Sequence, residues 1–247
     1  EAAAWTGTKQ YESLESLVRA SDALFLTVPD GAIASVFAQL REFDLAGKQI
    51  CHCSGALTAR EAFPGVAESG SLGRSIHRLF RVSRRYDSYR ELADAFFCLE
   101  GEKSAIPAWK TQLECCGCTV QTIDAAVKPL YHAACATASN LVCALVQQSI
   151  DKLTRCGFDE QSALRALTPL IRSNTARLLE VGPCEALTGP VERNDCETVK
   201  KHLACIPEGR ERALYTAATR NLIELAVRRH PDEDYGALRE LTEEGHK

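Results

Sequence analysis

Lys128 and His132 stand four positions apart in the run VKPLYHAACATASNLVCALV (127–146), and Ser139 and Asn140 follow two turns later. At 100° per residue, Lys128, His132 and Ser139 fall within about 40° of one another on one helix face. An amine and an imidazole so placed can move a proton, and a hydroxyl and an amide can hold a polar ligand. Nearly everything else in the run is Ala, Leu, Val or Cys, the composition of a helix buried on most sides. Pro129 has no N–H and disfavours helical geometry at the residue before it, so it belongs at the first helical position with Lys128 as the N-cap. There the amine faces the positive end of the helix and is partly buried. Both effects predict a lowered pKa, which suits proton transfer near neutral pH.

The elements that must position this helix lie ahead of it. DALFLTVPD (22–30) is a near-continuous apolar run, the profile of a buried parallel strand. GAIASVFAQLREF (31–43) has helical spacing, with Ile33, Phe37 and Leu40 on one face. KQICHCSG (48–55), SLGRSIHRLF (71–80), AFFCLEG (95–101) and CTVQTID (118–124) read as further strands, with a helix around 106–117. Strands separated by helices predict right-handed crossovers and a mostly parallel sheet. After Asp124 every periodic segment is helical: 129–156, 159–181, 195–205 and 208–229, followed by the polar tail PDEDYGALRELTEEGHK. The expected organisation is an α/β domain over 1–125 and an all-α domain over 126–247.

In an open parallel sheet, ligands bind beyond the carboxyl ends of the strands. Pro29-Asp30-Gly31 offers a turn leading into a helix N-terminus, a place for a phosphate or a ribose. Ser54-Gly55 offers a hydroxyl and close backbone approach, and His77 lies near the end of the third strand. Each also has a plain structural use in turn chemistry or as a satisfied histidine. Their shared placement is what points to a ligand edge. A second concentration, ALTGPVERND (186–195), joins two helices; Gly189 and Pro190 shape a turn and Asp195 can cap the next helix, but Thr188, Glu192 and Arg193 together exceed what a connection needs.

Composition narrows the classes. The net charge of −4, with acids and bases interspersed, gives no electrostatic case for nucleic acid or an anionic membrane. No stretch reaches about eighteen apolar residues free of polar groups, which argues against a membrane span. Twelve cysteines in a chain with an ordinary apolar content of 45% are expected to be reduced and mostly buried, in a cytoplasmic protein. Cys51-His52-Cys53 alternates faces in a strand and cannot close on one metal, and Cys115-Cys116-x-Cys118 lacks paired C-x-x-C spacing, so no metal site is expected. A zinc site built from Cys51, His52 and Cys115 is the remotest reading. No G-x-G-x-x-G follows a strand anywhere; SGSLGRS (69–75) precedes one. The chain contains no methionine and opens on EAAAWTGTKQYESLESLV, which reads as the middle of a domain.

In order, SDALFLTVPDGAI, CHCSGALTA, SIHRLF, AFFCLEG, KPLYHAACATASN and ALTGPVERND resemble the Rossmann-like proteins with a domain-of-unknown-function 2520 C-terminal half. These are relatives of 6-phosphogluconate dehydrogenase, ketopantoate reductase and pyrroline carboxylate reductase. The resemblance spans most of residues 8–206. It implies an incomplete Rossmann-like domain whose first strand, glycine loop and ribose-reading acid lie upstream, and a helical domain that pairs two subunits as a homodimer. It also implies an NAD(P)-dependent oxidoreductase, using NADP or NAD, and supplies no substrate; the leading expectation is hydride exchange with a small polar substrate held in a cleft between domains. Lys128 occupies the place where related reductases carry a proton donor or acceptor, with His132 as the other proton carrier. Pro29, Asp30, Ser54 and Gly55 would hold cofactor, and His77, Ser139, Asn140, Thr188 and Arg193 would line the substrate site. The sequence departs from the pattern at Arg78, where proline is usual, at Asn194, where glycine is usual, and at Pro129. A rival reading from another class is a dimeric nucleotide-binding or scaffold protein without catalysis, in which Lys128 and His132 bind an anion or bridge the domain interface.

Overall fold

The computed structural model describes residues 2–80 and 95–243. The chain falls into two compact units, Glu1–Leu141 and Val142–Lys247. The first begins with helices α1 (Ala2–Thr6) and α2 (Leu14–Arg19). It continues with β1 (Ala23–Leu26), α3 (Asp30–Leu40), β2 (Gln49–His52), α4 (Ala59–Ala62) and β3 (Leu72–Leu79). Then come β4 (Phe96–Gly101), α5 (Ile106–Cys115), β5 (Thr119–Thr122) and α6 (Lys128–Ala138).

The strands form one sheet in the order β1-β2-β3-β4-β5. All neighbours are parallel except β3 and β4, which run antiparallel with His77 opposite Cys98 and Ser75 opposite Glu100. That single reversal sets His77, Ser75, Cys98 and Glu100 on one face, because opposed residues of an antiparallel pair share a face. One face packs Leu24, Leu26 and Ile50 against Ile33, Phe37 and Leu40 of α3 and Phe63 after α4, so the helical spacing read at 31–43 is realised. The other packs Cys51, Ile76, Leu99 and Val120 against Ile106, Trp109 and Leu113 of α5. There Arg74 is fully buried, donating to the Ala105 carbonyl at 3.2 Å and lying 5.6 Å from the Trp109 ring. β1 is an outer strand among those described, and Phe25 is 45% exposed, so it is not buried on both faces as its apolar profile predicts.

The second unit contains most of α7 (Asn140–Arg155), then α8 (Glu160–Ala186), α9 (Cys196–Cys205), α10 (Arg210–Arg229) and α11 (Gly236–Glu243). Its core gathers Leu187, Val191, Val199, Ile223, Ala226, Tyr235 and Leu238. The polar tail is therefore part of the fold: Leu238 and Thr242 recur at helical spacing on the buried face of α11, while its last four residues lie outside the described residues.

Two expectations for the central run need correction. It is not one helix from 129 to 156. The backbone leaves helical geometry at Ser139 (φ −123°, ψ −69°), which ends α6 before α7 begins. Nor is it buried on most sides, since Leu130, Leu141 and Leu145 are 74%, 55% and 45% exposed. By length and composition alone Ala125–Arg155 is apolar enough to cross a bilayer, yet Lys128 and Tyr131 are tied to the sheet. Those ties explain why the first compact unit extends past the change of texture at 125 and includes α6.

Candidate active site

The turn after β2 is built around one hydroxyl. Ser54 Oγ donates to Asp30 Oδ2 at 2.6 Å and accepts from the backbone N–H groups of Ala56 and Leu57 at 3.2 and 3.0 Å. A capping box then starts α4: Thr58 Oγ1 accepts from the Glu61 N–H, and the Glu61 carboxylate accepts from the Thr58 N–H. Asp30 opens α3, where its charge complements the helix dipole. With a carboxylate already there, the Pro29-Asp30-Gly31 turn suits a ribose hydroxyl better than a phosphate.

His52, fully buried, accepts the Ser54 N–H on Nδ1 at 3.2 Å, while its Nε2 has no partner. Burial, reinforced by nearby Lys128, pushes its pKa down from 6.5 to about 3. The unfolded chain therefore takes up this proton first, and stability falls as pH drops below 6.5. The expected slope from this group is about 1.4 kcal/mol per pH unit, continuing toward the folded value. Urea unfolding followed by Trp109 fluorescence between pH 7 and 5 measures it. In His52→Asn, whose Oδ1 can replace Nδ1, the slope is expected to drop by one proton; an unchanged slope would refute the assignment.

Across the sheet, Ser75 Oγ donates to the Ser54 carbonyl at 3.1 Å, fixing the turn to β3. His77 Nδ1 lies 2.6 Å from Tyr131 Oη, with the rings edge-on at 88°. His77 and His132 also meet edge-on, their centroids 6.2 Å apart. Both imidazoles press on Gly55. A Cβ there would lie 2.6 Å from His132 Nδ1 and 2.7 Å from His77 Nε2. His77 is half-buried and His132 exposed. Burial first, then His132 and Lys128, hold the His77 pKa down at about 4, so the ring is neutral at neutral pH.

Lys128 is only 1% exposed, with Nζ 3.2 Å from Glu100 Oε2. The same oxygen accepts the Ala59 N–H at 2.9 Å. The amine pKa is lowered, as expected, and burial, one of the two expected causes, is what lowers it, while Glu100 opposes the shift. Lys128 is not the N-cap, however. Asp124 caps a 3-10 turn over Ala125–Val127 through the Ala126 N–H, and that turn runs directly into α6. Lys128 is thereby already helical (φ −60°, ψ −40°) despite the following proline, and Val127 is the N-cap.

The structure thus gathers Asp30, Ser54, Gly55, His77 and His132 along one edge, with Lys128 behind them. Ser139 and Asn140 do not continue the stripe: Ser139 Oγ donates to the Cys135 carbonyl at 2.7 Å and lies 2.9 Å from Asn140 Oδ1, serving the break between helices. Thr188 and Arg193 are exposed residues of the second unit. Around them Asn194 takes positive φ (54°), Asp195 caps α9 through the Thr198 N–H, and Glu192 meets His230 at 3.2 Å. All twelve cysteines are free, but only Cys51 and Cys98 are buried, so the expectation of mostly buried thiols fails. Among the described residues no three His, Cys, Asp or Glu side chains are grouped to hold a metal ion. Glu100 and Tyr131 were not legible as site residues; the signals were a carboxylate in an apolar strand and a phenol beside His132.

A mostly parallel sheet followed by an all-helical region defines a Rossmann-like fold with a helical C-terminal part. The domain of unknown function DUF2520 matches residues 95–222, and the chain belongs to that family. Protein TM1727 from Thermotoga maritima is 29% identical, with TM-score 0.68, covering 83% of this chain and 78% of its own. The fold is shared with an imine reductase of Streptomyces aurantiacus (15% identity, TM-score 0.58, 99% and 80% covered). It is shared also with the pyrroline carboxylate reductase of Plasmodium falciparum, solved with NADP bound (13%, TM-score 0.51, 96% and 81% covered). No curated protein matches the chain in sequence.

Proposed function

We propose that this chain is an NAD(P)-dependent oxidoreductase acting on a small polar substrate. The observation that carries the reading is the convergence of His77 and His132 on Gly55 at the carboxyl edge of the sheet, in a fold shared with a reductase solved with NADP bound. The residues present fit the nicotinamide end of such a cofactor: Asp30 offers a carboxylate to a ribose hydroxyl, and His77 and His132, which meet over Gly55, offer imidazole nitrogens to a polar group. No G-x-G-x-x-G loop for the pyrophosphate occurs in the sequence. When bound, the cofactor supplies or takes a hydride. His132, exposed beside His77, carries the proton to or from the substrate, while Lys128 reaches a reacting atom only by leaving Glu100.

The exposed apolar residues of α7 and α8, among them Leu141, Leu145, Leu170 and Leu179, support a homodimer that covers them. Twelve free thiols suit a reducing, cytoplasmic setting. Titration of the full chain with NADPH and NADH, followed through the His77 and His132 imidazole resonances, tests the reading. Saturable shifts with either nucleotide are expected. No response at millimolar nucleotide overturns it, and binding with no turnover on carbonyl or imine substrates leaves the scaffold reading in its place.

A further inference from the structure

We propose that Tyr131 is a positioning residue that fixes His77 as the tautomer with its proton on Nε2, making His77 a permanent hydrogen-bond donor at the Gly55 edge. The tautomer does not depend on what the chain catalyses; its use in catalysis rests on the oxidoreductase reading. The contact at 2.6 Å between Tyr131 Oη and His77 Nδ1 admits one proton, which belongs either to the phenol or to the ring. The surroundings of Tyr131 decide between them. Its hydroxyl interacts also with the thiols of Cys98 and Cys135, and burial keeps the phenol and the Cys98 thiol protonated. Thiols are weak acceptors, so the phenol proton has a better acceptor in Nδ1, and an S–H can donate to the phenol oxygen in turn. A chain running from thiol to phenol to Nδ1 leaves the single ring proton on Nε2.

Nε2 is the atom turned toward Gly55 and the neighbourhood of His132 Nδ1. A neutral imidazole fixed in this way polarises a carbonyl or imine without giving up its proton, which leaves proton exchange to the exposed His132. The edge-on ring contact and the register placing His77 opposite Cys98 hold the three groups in the same arrangement.

Multiple-bond proton–nitrogen correlation spectra of the full chain, labelled with nitrogen-15 histidine, read the tautomer directly at pH 7. The His77 signals are assigned by their loss in His77→Asn. A bare Nδ1 and a protonated Nε2 are expected in the wild type, with a shift to a tautomer mixture in Tyr131→Phe. A protonated Nδ1 in the wild type overturns the proposal whether or not the variant folds, and so does an unchanged pattern in a folded Tyr131→Phe. Because no nucleotide is needed, failure of the chain to bind NADPH would sink the oxidoreductase reading while leaving this result intact.

Discussion

Lys128→Ala is expected to destabilise the first unit by about 3–5 kcal/mol, because it strands the Glu100 carboxylate in a site where neither partner is more than 5% exposed. The loss should fall toward the lower end of that range, since Glu100 keeps the Ala59 N–H. Glu100→Leu behaves differently. Without the carboxylate, burial is opposed only by the weaker influences of Cys98 and Glu61 and drives Lys128 toward the neutral amine. The unfolded chain then binds one more proton than the folded one, so the stability of this variant rises with pH, by up to about 1.4 kcal/mol per unit below the unfolded lysine pKa. Replacing both residues, Glu100→Leu with Lys128→Met, should recover most of the loss, since a well-packed apolar pair often matches a buried ion pair. Urea denaturation followed by Trp109 fluorescence measures all three. Single variants each costing under about 1 kcal/mol would mean that the pair is not buried in solution.

The second large effect is expected at Gly55. Valine there places a Cβ at 2.6 to 2.9 Å from atoms of His132 and His77, closer than side-chain carbons approach in practice. His132, being exposed, can swing away; His77 is held by Tyr131 and must be displaced with its strand or lose that hydrogen bond. The cost to stability should stay within about 1–3 kcal/mol, the usual range for overpacking. On the proposed oxidoreductase function the effect on the site should be larger: a displacement of about 1 Å at reacting groups costs about a hundredfold in turnover. Opening the site to water also relieves the burial that depresses His77, so its pKa should move from about 4 back toward 6.5. Titration of the imidazole resonances reads that movement. A His77 pKa left at its wild-type value would show that Gly55 does not hold the two rings.

Much of the molecule was readable from local pattern. Ile33, Phe37 and Leu40 recur at helical spacing and all three are buried on the sheet, because an amphipathic helix carries its packing face in its own residues. Asp195 was readable for the same reason, since N-capping is a property of one residue and its nearest neighbours. The reading failed where a local count was extended across a non-local event. Ser139 shares a face with Lys128 and His132 only if the helix continues, and its own hydroxyl, bonded to the Cys135 carbonyl, helps to end it. The exposed cysteines escaped for a related reason: a small apolar residue type does not say which face of α5 or α7 it occupies.

The sequence by itself determined an α/β half followed by a helical half, the strand ends that carry Asp30, Ser54 and His77, and the run that carries Lys128 and His132. Each of these follows from periodicity, turn residues and chain order, which are properties of short stretches. Only the tertiary structure decided that β4 runs antiparallel to β3, which sets Glu100 and Cys98 on the face of His77. That choice is made by hydrogen bonds between strands far apart in the chain, and no local pattern encodes it. Through it Lys128 acquires its buried partner and Tyr131 meets His77, so the accessible edge is left to His77, His132 and Gly55.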